Sequence, residues 1–81
     1  MATIRYFASV AEAAGTTTED ITLDGPITAG SLRARLGEGR DQEFARLIGI
    51  CALLVNGVSS GDNTAVTNES RVDVLPPFAG G

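Results

Sequence analysis

The stretch ITLDGPITAGSLRARLG, residues 21–37, decides the fold of this chain because it places a turn and a helix directly after a strand. Ile21 and Leu23 alternate with polar residues, and this two-residue period is typical of a strand with one buried face. Gly25 and Pro26 are turn formers, so we expect the strand to end before them. The unit is therefore a strand, a turn and a helix, in that order.

The helix after the turn has a recognisable start. Thr28 is a favoured N-cap residue, and Ile27 and Leu32 occupy the two positions of a hydrophobic staple. Leu32 and Leu36 lie four residues apart and give the helix a buried stripe. Two glycines after Leu36 end it. This is the main helix of the predicted fold.

A second, shorter helical segment follows the main helix. Asp41 is predicted to cap it, while Phe44, Leu47 and Ile48 form its apolar side and Gly49 ends it. The centre of the chain is therefore one main helix with an extra helical segment.

Two strands are predicted before the main helix. Residues 2–8 alternate, with Ile4 and Tyr6 on one face and Arg5 and Phe7 on the other. A short turn of helix follows, in which Ser9 and Glu12 match the S-x-x-E capping box and Gly15 is the last residue. The second strand is TEDITLD, residues 18–24. An antiparallel pair at the start of the chain is the expected result.

Two further strands are predicted after the helices. Residues 50–57, ICALLVNG, begin with an apolar run too short for a typical helix, which favours a central buried strand. Asn56 and Gly57 both tolerate positive φ and predict a hairpin turn. Val66 is expected to make a brief edge contact, and residues 71–75, RVDVL, alternate and are predicted to form the last strand.

The predicted order is β-β-α-β-β with a short extra helical segment. It indicates an α+β domain in which a mixed sheet of four to five strands packs on one main helix. The order matches the β-grasp arrangement, although other α+β folds share it. Residues 1–75 are expected to form this domain, and residues 76–81 a flexible tail.

The tail has the sequence PPFAGG. Proline has no backbone N–H to donate, so Pro76 and Pro77 must end the sheet at Leu75 and give the exit a stiff, extended start. Six extended residues span roughly 20 Å. Gly80 and Gly81 have no side chains, so the tail is narrow enough to enter a tight channel on another protein.

The composition excludes several classes of site. The 81 residues have a net charge of −4, no histidine and one cysteine, which argues against a zinc centre. The six basic residues are all arginine and are scattered, which argues against a nucleic-acid interface. We find no apolar run of about 18 residues that would span a membrane, and no signal-peptide pattern. A cytoplasmic protein whose catalytic machinery lies on a partner is expected.

Cys51 lies inside the apolar run and is expected to be buried for packing rather than reactive. Its position gives no reason to place sulfur chemistry there.

Four segments resemble a known family, and the last of them is the most specific. They are Arg5-Tyr6-Phe7-Ala8, Thr28 with Leu32 and Leu36, Val55-Asn56-Gly57, and Val72 to Gly81. The chain resembles the MoaD/ThiS family of ubiquitin-like sulfur carriers, and within that family the small subunit of molybdopterin synthase. One departure is Asn68-Glu69-Ser70, where relatives often have a Gly-Asp turn. Asn68 tolerates the left-handed conformation, so we expect the turn to be kept.

The resemblance implies a chemistry for the chain end. An ATP-using activating enzyme of the ubiquitin-activating type, with Mg²⁺, adenylates the Gly81 carboxylate, and a persulfide sulfur then displaces AMP. The resulting thiocarboxylate donates sulfur to a cyclic pyranopterin precursor in molybdenum cofactor biosynthesis. Gly81 carries the reacting atom, and Gly80 gives it clearance.

The resemblance also implies the partners. They are the activating enzyme and the large catalytic subunit of molybdopterin synthase, in a heterotetramer with two large subunits. The chain would be a sulfurtransferase subunit that is not catalytic alone and binds no metal or cofactor. The implied partner-binding residues are Phe7, Leu75, Pro76, Pro77, Phe78 and Ala79.

Three other functions fit the same residues. A ubiquitin-like modifier would be conjugated through Gly81, and a thiazole-synthesis carrier would pass sulfur to a different enzyme. A plain binding domain would dock its tail without chemistry. The chain has no lysine, so it cannot form lysine-linked chains of itself, which favours a carrier slightly.

Overall fold

Ten secondary-structure elements follow one another in residues 1–77, the part of the chain that the computed structural model describes. They are β1 (Ala2–Tyr6), α1 (Ala8–Ala14), β2 (Thr18–Ile21), β3 (Ile27–Thr28), α2 (Ala29–Gly37), α3 (Gln42–Ile50), β4 (Ala52–Val55), β5 (Val58–Ser59), β6 (Ala65–Val66) and β7 (Arg71–Leu75). None of the helices in this part of the chain is long and apolar enough to cross a membrane.

Five strands form one mixed sheet in the order β2-β1-β7-β4-β5. β1 and β7 are parallel, and the other neighbouring pairs are antiparallel. The predicted α+β class and the mixed sheet are confirmed. The middle strand, however, is the last strand, β7, whereas the predicted central strand, β4, lies one position further towards the edge.

One hydrophobic core lies between this sheet and the helices. Its largest fully buried side chains are Ile4, Leu32, Ile48, Leu53, Val10, Val66, Val72 and Val74. The predicted stripe of Leu32 and Leu36 on α2 is buried, as are Phe44 and Ile48 on α3, and Leu47 packs against them partly exposed. Both helices therefore bury the faces that were predicted to be apolar.

The predicted caps of α2 and α3 are confirmed. The hydroxyl of Thr28 accepts a hydrogen bond from the backbone N–H of Ser31 at 3.1 Å. The carboxylate of Asp41 accepts one from Phe44 at 2.8 Å. Each cap satisfies a backbone donor that the first helical turn leaves without a partner.

The capping box predicted at Ser9 is wrong. Phe7 is the N-cap of α1 and uses no side-chain hydrogen bond; its carbonyl accepts bonds from Val10 and Ala11 instead. Ala8 has a φ of +52° and turns the chain out of the sheet, so β1 ends at Tyr6 rather than near Ala8. Gly15 ends α1 with a φ of +77°, as predicted.

The second strand is shorter than predicted and ends at Ile21. Leu23 is buried but lies outside β2, where the amide of Asn68 holds its backbone. The oxygen of that amide accepts from the Leu23 N–H at 2.8 Å, and its nitrogen donates to the Leu23 carbonyl at 2.9 Å. The turn expected at Asn68-Glu69-Ser70 is present, and the Ser70 N–H donates to the Thr67 carbonyl at 3.0 Å. It does not use the left-handed conformation that Asn68 tolerates, since the non-glycine residues with positive φ within residues 1–77 are Ala8 and Asn56.

The third helix is longer than predicted. It continues through Gly49 to Ile50, so α2 and α3 have nine residues each and neither is the shorter. The guanidinium of Arg33 donates to the carbonyls of Ile48 and Cys51, both at 2.7 Å. These bonds satisfy two carbonyls at the C-terminal end of α3, which the last helical turn leaves without intrahelical partners.

The β4–β5 hairpin is formed as predicted, with Asn56 at a φ of +53° and Gly57 at +83°. The brief edge contact of Val66 is also present. It belongs to a separate two-stranded sheet in which Ile27 pairs with Val66, a partner that was not predicted.

Candidate functional site

The side of the sheet opposite the helices is the surface from which the tail begins. Because side chains alternate along a strand, every second residue of β1, β7 and β4 points away from the core. We call this surface the outer face. In and directly after these three strands it consists of Thr3, Arg5, Phe7, Arg71, Asp73, Leu75, Ala52 and Leu54.

One end of the outer face is apolar and lies where the chain leaves the sheet. Tyr6 is in register with Val74 in the parallel pair, so Phe7 lies beside Leu75. The Phe7 N–H donates to the Val74 carbonyl at 3.2 Å. Both Phe7 and Leu75 are partly exposed. β7 ends at Leu75, as the two prolines predicted.

The structure therefore brings together only part of the predicted partner-binding set. Phe7, Leu75 and Pro76 are partly exposed at this end, and Pro77 is exposed. The other predicted site residues, Phe78, Ala79, Gly80 and Gly81, lie outside the described residues. The role of the whole set in binding a partner stays a prediction.

An ion pair that the sequence analysis missed lies in the middle of the outer face. Arg5 and Asp73 are register partners on β1 and β7. The guanidinium of Arg5 donates to both carboxylate oxygens of Asp73, at 2.9 and 3.3 Å. Asp73 is 7% exposed although no helix covers it, and hydrogen bonding to this carboxylate raises the pKa of Arg5. The pair links the two strands that form the site.

Arg5 also contacts the aromatic residue at the apolar end. Its guanidinium carbon lies 5.3 Å from the centroid of the Phe7 ring, which is within the range of a cation–π contact. The same guanidinium therefore contacts both the Asp73 carboxylate and the Phe7 ring. A shallow cavity of about 390 Å³ lies beside the ring, with Ala8, Ala11 and Thr18 among its lining residues.

A second polar network fixes β1 from the inner side. The Tyr6 hydroxyl donates to the Glu19 carboxylate on β2, and Arg40 donates to the same oxygen at 3.1 Å. Arg40 also lies over the Phe44 ring, 4.6 Å from its centroid. Burial, together with the bond to Glu19, raises the pKa of Tyr6. This network joins β1 to β2 and α3, so the strand that positions Arg5 and Phe7 is held on both sides.

Cys51 has the packing role predicted for it. It is 4% exposed, and its thiol donates to the Leu47 carbonyl at 3.1 Å. Burial raises the pKa of the Cys51 thiol, so the nucleophilic thiolate is disfavoured. Within residues 1–77 there is no group of three or more potential metal-ligating His, Cys, Asp or Glu side chains.

Comparison with known proteins gives a family and a fold. The model of the ThiS family matches residues 4–81. A search of curated protein sequences gives no significant match. Similar solved structures include SAMP1 from Haloferax volcanii, which has a TM-score of 0.80 and 24% identity over 99% of this chain and 98% of its own.

Two further structures relate to molybdopterin conversion. A putative molybdopterin converting factor subunit 1 from Pyrococcus furiosus has a TM-score of 0.79 and 21% identity, covering 95% of this chain and 97% of its own. A complex of subunits 1 and 2 of the molybdopterin-converting factor from Helicobacter pylori contains a chain with a TM-score of 0.67 and 23% identity, covering 99% and 97%. These likenesses confirm the ubiquitin-like β-grasp fold.

Proposed function

The chain belongs to the ThiS family, and from that membership we propose that it is a sulfur carrier in molybdopterin biosynthesis. The observation that supports this function best is the end of β7. The middle strand of the sheet ends at Leu75 beside Phe7, and the sequence continues as Pro-Pro-Phe-Ala-Gly-Gly. Six extended residues span roughly 20 Å, so we propose that the narrow glycine end acts within that distance of an apolar docking surface.

The proposed chemistry takes place at Gly81. Its carboxylate attacks the α-phosphorus of ATP in the activating enzyme, which releases pyrophosphate and forms an acyl adenylate. A persulfide sulfur displaces AMP, and a thiol then cleaves the new S–S bond to leave a thiocarboxylate. Adenylation is needed because a carboxylate is a poor electrophile. Gly80 leaves room for these attacks, since it has no side chain.

The chain is a subunit in this proposal and is not catalytic alone. The thiocarboxylate enters the large catalytic subunit of molybdopterin synthase and transfers its sulfur to a pyranopterin precursor. The Helicobacter pylori complex of subunits 1 and 2 supports a partner of this kind, and we propose a heterotetramer with two large subunits. The chain itself holds no metal or cofactor, while the activating enzyme uses ATP and Mg²⁺. The setting is the cytoplasm.

The proposal also assigns separate roles to the domain and to the C-terminal tail. We assign docking to the domain of residues 1–75 and sulfur transfer to residues 76–81. Phe7 and Leu75 dock against the partner, and the segment from Pro76 to Ala79 threads the channel that leads to its active site.

A protein modifier is the second candidate, supported by the likeness to SAMP1, small archaeal modifier protein 1. A modifier would form an amide bond through the same Gly81 adenylate, whereas a thiazole-synthesis carrier would share the thiocarboxylate and differ in its acceptor. The three functions therefore diverge only after activation.

The intact mass of the chain separates these functions. It is measured after incubation with ATP, Mg²⁺, the activating enzyme and a sulfur donor, beside a variant without Gly81. A gain equal to the difference between one sulfur and one oxygen atom, absent from the variant, is the expected result. Adding the large subunit and the pyranopterin precursor then identifies the acceptor. Conjugates of higher mass without the sulfur gain would contradict the carrier function and favour the modifier.

A further inference from the structure

The shallow cavity beside Phe7 is formed by the end of β1, the start of α1 and the start of β2. Phe7, Ala8 and Ala11 give it an apolar lining, and Thr17 and Thr18 also line it. Its volume is about 390 Å³. A closed cavity of about 150 Å³ already binds a benzene ring, so this one has room for an aromatic side chain.

The lining favours an aromatic occupant over an aliphatic one. The Phe7 ring is part of the lining, and aromatic rings attract each other in edge-to-face and offset arrangements. The Arg5 guanidinium carbon lies 5.3 Å from the Phe7 centroid, and the Arg5 side chain is 45% exposed. A second ring beside Phe7 therefore also comes close to a cation that attracts aromatic faces.

The sequence places an aromatic residue within reach of this cavity. The described residues end at Pro77, one position before Phe78, and Phe78 is the one aromatic residue after Leu75. Leu75 lies beside Phe7 at the spacing of neighbouring strands, about 4.8 Å. The three residues from Leu75 to Phe78 span about 10 Å when extended, which equals the two strand spacings from β7 to β2. The Phe78 ring can therefore enter the cavity while β7 stays in the sheet.

We propose that Phe78 docks its ring in this cavity while the chain is free and leaves it when a partner covers Phe7. The docking needs no partner, and only the release rests on the proposed function. Burying a phenylalanine and ordering the residues before it change the free energy by similar amounts of opposite sign, so the docked and undocked positions are both populated. Pro76 and Pro77 lower the ordering cost, because their φ is already fixed.

The docked ring would limit the reach of the chain end. While Phe78 is docked, only three residues follow it, and they span about 10 Å. Release of the ring restores the full length of roughly 20 Å that the six residues after Leu75 can span. In the proposed function, Gly81 therefore reaches deep into a partner only after that partner has displaced Phe78 from the cavity.

The experiment uses single tryptophans as reporters in the full-length chain, which has no tryptophan of its own. Phe78→Trp places the reporter on the docking residue, and Ala79→Trp places it one position further along as the matched control. Acrylamide quenching of tryptophan fluorescence measures how much of each reporter is shielded from solvent. We expect the quenching constant of Phe78→Trp to be about half that of Ala79→Trp, the value for a ring docked about half of the time.

A second pair of variants changes the cavity instead of the tail. Thr17 and Thr22 directly precede and follow β2, both are exposed, and only Thr17 lines the cavity. Glutamate at either position changes the net charge from −4 to −5. A carboxylate in the lining disfavours an apolar ring that would desolvate it, so Thr17→Glu should raise the quenching constant of Phe78→Trp about twofold. Thr22→Glu should leave it unchanged, and thermal unfolding midpoints verify that each variant is folded.

Nuclear Overhauser effects test the same contact without a tryptophan. We expect cross-peaks between the Phe78 ring protons and the Ala11 methyl group in the wild-type chain, and their loss in Thr17→Glu. Equal quenching of the two tryptophan reporters together with absence of these cross-peaks overturns the proposal. Cross-peaks or shielding that increase with protein concentration overturn it too, because the ring then comes from a second copy. Contacts that appear only with the activating enzyme or the large subunit overturn docking in the free chain.

The sulfur gain in intact mass, measured on the same wild-type chain, separates this inference from the proposed function. A sulfur gain without shielding of the ring leaves the carrier function intact and removes the docking of Phe78. Shielding of the ring without any sulfur gain confirms the docking and contradicts the carrier function.

Discussion

Replacing Asn68 by glycine tests whether its side-chain amide, rather than its backbone conformation, stabilises the fold. The amide accepts from the Leu23 N–H at 2.8 Å and donates to the Leu23 carbonyl at 2.9 Å. Leu23 is 4% exposed, so its backbone has little access to water. Two lost hydrogen bonds cost about 1–3 kcal/mol, and leaving buried partners unsatisfied brings the total to about 2–4 kcal/mol.

Comparing the stabilities of Asn68→Gly and Asn68→Ala distinguishes a role of the side-chain amide from a role of the backbone conformation, because the two roles predict opposite orders of stability. If the amide bridge is what matters, Asn68→Gly destabilises at least as much as Asn68→Ala, because glycine also has a more flexible unfolded chain. If a left-handed backbone mattered, glycine would be better than alanine by about 1–2 kcal/mol. The observed φ of Asn68 is not positive, so we expect the first order.

Urea denaturation followed by circular dichroism measures the effect. With a slope of about 1 kcal/mol per molar urea for a domain of this size, the midpoint should fall by about 2–4 M in both variants. Glu69→Ala is the matched control, since Glu69 is exposed and its side chain forms no hydrogen bond within residues 1–77. A glycine variant as stable as the wild type would refute the bridge.

The helix caps, Tyr6 and Cys51 each allow a further test. Thr28→Ala should lower the free energy of unfolding by about 1 kcal/mol, because Thr28 caps α2. Ser9→Ala should lower it by less than about 0.5 kcal/mol, because Ser9 does not cap α1. Equal losses of unfolding free energy in urea denaturation would contradict this difference. The pKa of Tyr6 is raised from its ordinary 10.0, so the folded state binds this proton more tightly. The stability that Tyr6 contributes is therefore complete below pH 10 and decreases above it. The thermal unfolding midpoint of the wild type should fall as the pH rises above 10, and the midpoint of Tyr6→Phe should fall less over the same range. Cys51 is buried, so a thiol reagent should modify it in denaturant and very slowly in the native chain, and rapid native labelling would contradict its packing role.

The features that the sequence predicted correctly depend on neighbouring residues. Thr28 and Asp41 cap their helices because the side-chain oxygen of an N-cap threonine or aspartate accepts from a backbone N–H only three residues further along the chain. Asn56 and Gly57 form a turn because both accept positive φ. The two prolines end β7 because they have no backbone donor. None of these requires knowledge of a distant segment.

The features that the sequence did not predict depend on contacts between distant segments. Arg5 and Asp73 are 68 residues apart, and only the parallel register of β1 and β7 makes them partners. Asn68 and Leu23 are 45 residues apart. Ser9 had a valid capping-box pattern, but the left-handed turn at Ala8 placed it inside the first turn of α1 instead. At Ser9, the backbone conformation of the preceding residue, rather than the local capping pattern, determined where the helix begins.

The place of β7 in the sheet explains how a short tail can be aimed. β7 has β1 on one side and β4 on the other, so all five of its residues are bonded into the sheet before the chain leaves it. A tail that began at an edge strand would lose its fixed origin whenever that edge frayed, because edge elements open with the lowest free energies. Since Phe7 follows the parallel strand β1, the aromatic residue that we propose to dock and the end of β7 are positioned by the same pair of strands. In the proposed function, these two strands therefore fix the point from which the six residues after Leu75 lead to Gly81.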